Sequence, residues 1–189
     1  MRVLTGFVAL LILLAVAVVA WMYSGTYNVA ASEPHPPWVR WVIDTTLRQS
    51  VRAHAGGVTA PPLGDPVLVE EGARLFHGHC ALCHGAPGAE PRPFARAMRP
   101  DPPRLTEAVA EWTSAELFWI IKHGLKMTGM PAWGASHVDG EIWAMVAFLN
   151  QLPTMPADRY RAIVEPAPEP EPVPEEQQVV PPPEGEEEP

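Results

Sequence analysis

The chain has 189 residues, 47% of them hydrophobic, with two cysteines and a formal net charge of −9. That length holds one modest domain plus extensions. Residues 165–189 contain nine glutamates and no Lys or Arg, so the rest is neutral, and with no basic patch nothing points to a nucleic-acid partner.

The first element is "VLTGFVALLILLAVAVVAWMY", Val3 to Tyr23, 21 residues without a charge. As a helix at ~1.5 Å per residue it spans roughly 31 Å, enough for the hydrocarbon core of a bilayer. Trp21 and Tyr23 at its end suit a membrane interface. Secretory signals have a shorter apolar region, about 7–15 residues, so residues 1–32 are read as an uncleaved anchor with Arg2 in the cytoplasm. The alternative is cleavage near Ala31, in the small-residue run "NVAAS", which would release the remainder.

Residues 33–66 are read as a helix plus linker. "EPHPPWVRWVIDTTLRQSVRAHAGG" predicts a helix of about four turns, opened by Pro36 and Pro37 and closed by Gly56-Gly57. Val39, Ile43, Leu47 and Val51 repeat at i+4, and Trp38 and Trp41 widen the apolar face. The helix is expected to pack on the main domain or lie at the membrane surface. Docking to a partner subunit is the alternative. "TAPPLGDP" then reads as a breaker-rich linker.

Residues 67–164 form the main domain, expected to be all-α. In "PVLVEEGARLFHGHC" the apolar spacing of Val69, Ala73 and Phe76 predicts a helix, and Gly72 would let another helix cross closely. "AEWTSAELFWIIKHG" predicts a second, with a capping box from Thr113 to Glu116, a stripe of Leu117, Ile120 and Ile121, and a stop at Gly124. "HVDGEIWAMVAFLNQLP" predicts a third, capped by Asp139 and ended by Pro153. The intervening stretches 85–106 and 125–137 read as long loops, unusual in so small a domain. A cofactor would hold them.

Both cysteines lie in "FHGHCALCHGAP". A thioredoxin-like dithiol needs a βαβ context that is missing. Zinc needs a full tetrahedral set, and Cys80, Cys83 and a histidine leave it short. The third reading of Cys80-Ala-Leu-Cys83-His84 is haem attachment, with two thioether sulfurs and an axial imidazole from one short run. In "HGLKMTGMPAWG" Pro131 forces Met130 into an extended conformation, which can send its thioether across a haem face. Met127 lacks a following proline and Met98 sits in an Arg/Pro-rich stretch, so both are weaker candidates. His123 and His137 would give bis-His ligation, but read more simply as helix-end and surface residues. His77 and His79 are expected to face solvent or the haem edge, and Trp133 is placed near the haem. The tail, 165–189, with nine prolines and nine glutamates, reads as disordered, either solubilising or steering toward a basic partner.

From Gly72 to Pro153 the chain resembles a class I c-type cytochrome domain. The resemblance rests on Gly72 and Phe76, Cys80, Cys83 and His84, "PPRL" at 102–105, Met130-Pro131, and the final helix with Trp143 and Phe148. It implies that the first and last helices of the domain cross beside Gly72, with Phe148 near the crossing. It implies one covalent haem c whose iron is held by His84 and Met130, and a Pro103 carbonyl that accepts a hydrogen bond from the proximal imidazole. With both axial positions filled, the implied activity is electron transfer rather than catalysis. The expected partners are a respiratory or periplasmic dehydrogenase and a terminal acceptor such as an oxidase, met at the periplasmic face of a bacterial inner membrane. A dedicated subunit of a larger complex is a second reading. A haem sensor or peroxidase with a displaceable distal ligand is a third.

Overall fold

A computed structural model describes residues 2–165. The acidic tail expected to be disordered lies, from residue 166 on, outside the described residues. Among the described residues, eight α-helical segments make up the architecture. Among the described residues there is no β-strand, only an isolated bridge between Ala86 and Ala89.

Helix α1, Arg2–Tyr23, carries no charge after Arg2, and none of its residues is buried. Its 22 residues extend ~33 Å, and it is the one described helix long and apolar enough to cross a membrane. Helix α2, Pro37–Ala55, has proline in its first turn and ends at Gly56. At 19 residues it is longer than expected, by roughly one turn. Its apolar stripe has two fates. Val51 and Ala55 are buried, whereas Trp38, Trp41, Val42 and Ile43 are exposed. The C-terminal half packs against α6, Ser114–His123, and Arg48 and Arg52 pair there with Glu111 and Glu116.

The core is built by α6, α3 (Pro66–His79) and α7 (Asp139–Gln151). Asp65 caps α3, its carboxylate accepting from the Val67 N–H at 2.9 Å. A Cβ at Gly72 would stand 1.9 Å from the Ala144 carbonyl oxygen, so only glycine lets α3 and α7 cross this closely. Around the crossing Phe76, Phe148, Ile142, Met145 and Val146 are fully buried. Each such side chain contributes about 1.5–3 kcal/mol relative to exposure. Phe76 and Phe148 lie 5.1 Å apart between ring centroids. Phe118 stacks on Trp143 at 4.1 Å. Helix α6 opens with the expected capping box, the Thr113 N–H reaching Glu116 at 2.7 Å and the Glu116 N–H reaching Thr113 Oγ1 at 3.3 Å.

Three expectations need correction. Asp139 is not the cap of α7 but its first residue. The Val138 N–H is taken by the Glu141 carboxylate at 3.0 Å, and Asp139 instead accepts from Lys122 Nζ at 2.6 Å. The two long loops are not bare: they hold 3-10 turns at Ala95–Ala97 and Trp133–Ala135, and helix α5, Leu105–Ala108, begins at the end of the first. A final helix over Ala157–Val164 (α8 in chain order, after the one-turn α4 at Ala81–His84) was not foreseen. It is pinned by Tyr160, only 4% exposed, whose ring meets those of Phe76 and Phe148.

Candidate cofactor site

Helix α3 delivers the site. The Cys80 N–H still bonds to the Phe76 carbonyl at 2.8 Å, and the Cys80 carbonyl then accepts from Cys83 at 3.1 Å and His84 at 3.0 Å. Those bonds close α4, so Cys80, Cys83 and His84 share one helical turn, with spacings i+3 and i+4 that put them on one side. The turn stops at Gly85, where φ is 73° and a Cβ would meet the Ala89 carbonyl oxygen at 2.9 Å.

Both cysteines are free and half-buried. Burial, and then the neighbouring Cys83, push the Cys80 thiol up to about 12. A redox dithiol requires the opposite, a lowered thiol that ionises near neutrality. Among the described residues no three His, Cys, Asp or Glu side chains gather into a metal-binding group, which leaves the zinc reading without ligands.

His84 Nδ1 lies 2.8 Å from the Pro103 carbonyl oxygen. A carbonyl can only accept, so Nδ1 carries the proton and the neutral ring has its lone pair on Nε2. Burial lowers the imidazole's pKa below its ordinary value, and the Pro103 bond opposes this more weakly. Pro103 is carried to His84 by a loop with its own ties. Arg92 N–H donates to the Leu82 carbonyl at 3.0 Å. Glu90 holds Arg96 at 3.1 Å and also pairs with Arg104. The hydrogen bond from Arg104 keeps the exposed Glu90 carboxyl below the usual range.

Met130 lies across the domain sequence in the loop after α6. Its N–H donates to Thr128 Oγ1 at 3.1 Å, and its carbonyl accepts from Leu125 at 3.3 Å. Gly124, at φ 62°, lets this loop return: a Cβ there would sit 2.6 Å from Pro131. Met130 and Trp133 are half-buried against the same core that Cys80 touches. Met127 is 95% exposed. Met98 lies against the loop, its terminal methyl filling the space where a Gly129 side chain would be. Trp133 sits beside His79 at 5.1 Å and His137 at 5.4 Å, and His123 rests on Trp119 at 5.0 Å. His77 is exposed, as expected, and its Nδ1 is also 3.0 Å from the Tyr160 hydroxyl. That bond joins α3 to the unforeseen α8, so no local pattern could have announced it.

The donor set fits a haem c. Two reduced sulfurs lie on one turn, an imidazole presents a bare Nε2, and a thioether is held in a tight loop. Residues 67–149 match the family model described as cytochrome c oxidase, cbb3-type, subunit III. No curated protein and no solved structure matches the chain.

Proposed function

Starting from residues 67–149 as a c-type cytochrome domain, whose chemistry is haem-based electron transfer, we propose that this chain is a membrane-anchored monohaem electron carrier. A haem c supplies a one-electron iron couple when bound. Cys80 and Cys83 would hold the haem covalently through their sulfurs. His84 Nε2 and the Met130 sulfur would hold its iron. The Pro103 carbonyl fixes the imidazole's tautomer and its orientation. The observation that carries this reading is the 2.8 Å contact between His84 Nδ1 and Pro103, which frees Nε2 for iron. Ligation by Met and His favours a raised potential, suited to passing electrons from a dehydrogenase toward a terminal acceptor. Helix α1 supports an anchor in a bacterial inner membrane with the domain on the periplasmic side.

The test is the visible spectrum of the purified full chain, made alongside haem-attachment machinery. A sharp reduced α band that survives denaturing acid extraction, with a weak long-wavelength ferric band from a sulfur–iron bond, is expected. Loss of the colour on extraction would overturn covalent attachment. A ferric spectrum without the sulfur band, together with rapid carbon monoxide binding, would move the reading to a sensor or peroxidase. The matching family's description names an oxidase subunit, which favours a complex subunit as the second reading. Co-purification with an oxidase at fixed ratio would establish it.

A further inference from the structure

The first half of α2 turns an apolar face away from the domain. At ~100° per residue, Val42 lies roughly opposite Val51 around the helix axis. Val51 is buried, while Trp38 and Trp41 are 62% and 68% exposed. The same half carries its charges, Arg40 and Asp44, as an exposed i,i+4 pair. The face is therefore amphipathic in its own right, and the domain covers none of it.

The connection to α1 says what lies beside it. Trp21, in the last turn of α1, meets the Tyr27 ring edge-on at 5.7 Å. The Tyr27 hydroxyl is 2.7 Å from His35 Nδ1, just before α2. Residues 24–36 are thus folded back, and the end of α1 stands next to the start of α2. Between them runs an apolar groove of about 460 Å³, walled by Trp21, Met22 and Tyr27 on one side and Trp38, Val42 and Ile43 on the other. A helix of ~33 Å slightly exceeds a hydrocarbon core of about 30 Å, so its last turn emerges at the headgroup boundary. Trp and Tyr concentrate at that level.

We infer that Trp38, Trp41, Val42 and Ile43 are immersed in the outer leaflet at the headgroup–acyl boundary, with phospholipid chains filling the groove against α1. The inference rests on α1 being retained as an anchor. Its continuity with the anchor sets its depth, and the absence of buried charge on the face lets acyl chains meet it. Arg40 stands at the height where long basic side chains reach phosphates.

The experiment uses the full haem-loaded chain in vesicles of phosphatidylcholine and phosphatidylglycerol, doped with a phospholipid bearing a diazirine high on one acyl chain. After illumination, labelled peptides are mapped by mass spectrometry. Label is expected in 3–23 and in 37–44, and not in 47–55. Trp38→Gln with Trp41→Gln, at exposed positions, should cut labelling of 37–44 several-fold while 3–23 and the haem spectrum stay unchanged. Label in 3–23 with none in 37–44 overturns the inference and leaves the anchor standing. No label in 3–23 overturns the anchor, and the inference falls with it. In native membranes, protection of 37–44 together with a protein crosslinked there would give the face to a protein partner and overturn the lipid assignment.

Discussion

Gly72→Ala adds one methyl group where the structure has no room for it. The new Cβ would stand 1.9 Å from the Ala144 carbonyl oxygen and 2.5 Å from its carbonyl carbon. Both are backbone atoms, so no side chain can swing aside. Ordinary contact begins at 3.4 Å, so α3 and α7 must separate by up to ~1.5 Å or shift along each other. Overpacking of a well-filled core costs about 1–3 kcal/mol, occasionally more, and here the backbone clash puts the expected loss at the top of that range. Separation also loosens Phe76 against Phe148, which are fully buried. Gly78→Ala is the paired control. It lies in the same helix, and nothing stands within 4 Å of its added Cβ. That substitution should stabilise by up to ~0.5–1 kcal/mol, because alanine is the better helix former. Urea unfolding of the haem-loaded full chain in mild detergent, followed by circular dichroism, reads both. A lower midpoint for Gly72→Ala and an equal or higher one for Gly78→Ala are expected. If Gly72→Ala falls within about 0.5 kcal/mol of the parent, as a surface change would, the close crossing of α3 and α7 is wrong.

Met130→Ala should abolish the sulfur–iron ferric band and open the iron to carbon monoxide, whereas Met127→Ala, at a side chain 95% exposed, should leave both the band and the stability within about 0.5 kcal/mol of the parent; the visible spectra of the two variants decide it. Gly124→Ala forces alanine to a φ of 62° and into Pro131, so a loss of about 1–3 kcal/mol in urea is expected, with weakening of the same ferric band. Tyr160 carries a pH signature. Burial raises its phenol from 10.0 to about 12, so between those values the unfolded chain sheds the proton first and stability falls as pH rises. The slope approaches ~1.4 kcal/mol per pH unit at most. Tyr160→Phe should remove this alkaline fall while costing about 0.5–1.5 kcal/mol at neutral pH through the lost bond to His77; urea midpoints at neutral and alkaline pH measure both.

What the sequence disclosed was local. Cys80, Cys83 and His84 share one turn, so their chemistry is written in consecutive residues, and the Thr113–Glu116 box is likewise a matter of spacing. Gly72 was legible because a glycine inside an apolar stripe has few other uses. Helix α8 was not, since its hold on the domain comes from distant partners, chiefly Tyr160 against Phe76, Phe148 and His77. Asp139 misled because a capping residue and a helix's first residue look alike until a distant partner, Lys122, is seen to claim the carboxylate. The stripe on α2 was correctly periodic, yet periodicity does not say how far along a helix the cover extends. Met130 was legible from its following proline and its Gly/Pro loop, read together with the Cys80–His84 motif; the Thr128 and Leu125 bonds that shape that loop depend on a backbone path that composition does not encode.

The segment after α2 has the composition of a tether. A free linker of ten residues would let its ends wander by roughly 5–6 Å times the square root of its length, about 17 Å. That freedom is lost here. Val58 and Leu63 lie against the core, and α2 is strapped to the domain by Arg48 and Arg52. Residues 37–165 are thus tied together by packing and ion pairs, and the turn that joins them to α1 is itself pinned by the Tyr27–His35 bond. With α1 retained as the proposed anchor, a redox centre mounted this way would not fish for distant acceptors. It would sweep a thin layer above its attachment plane and trade reach for a high local concentration within that layer. Partners that exchange electrons with it would then have to present their own centres at the same height.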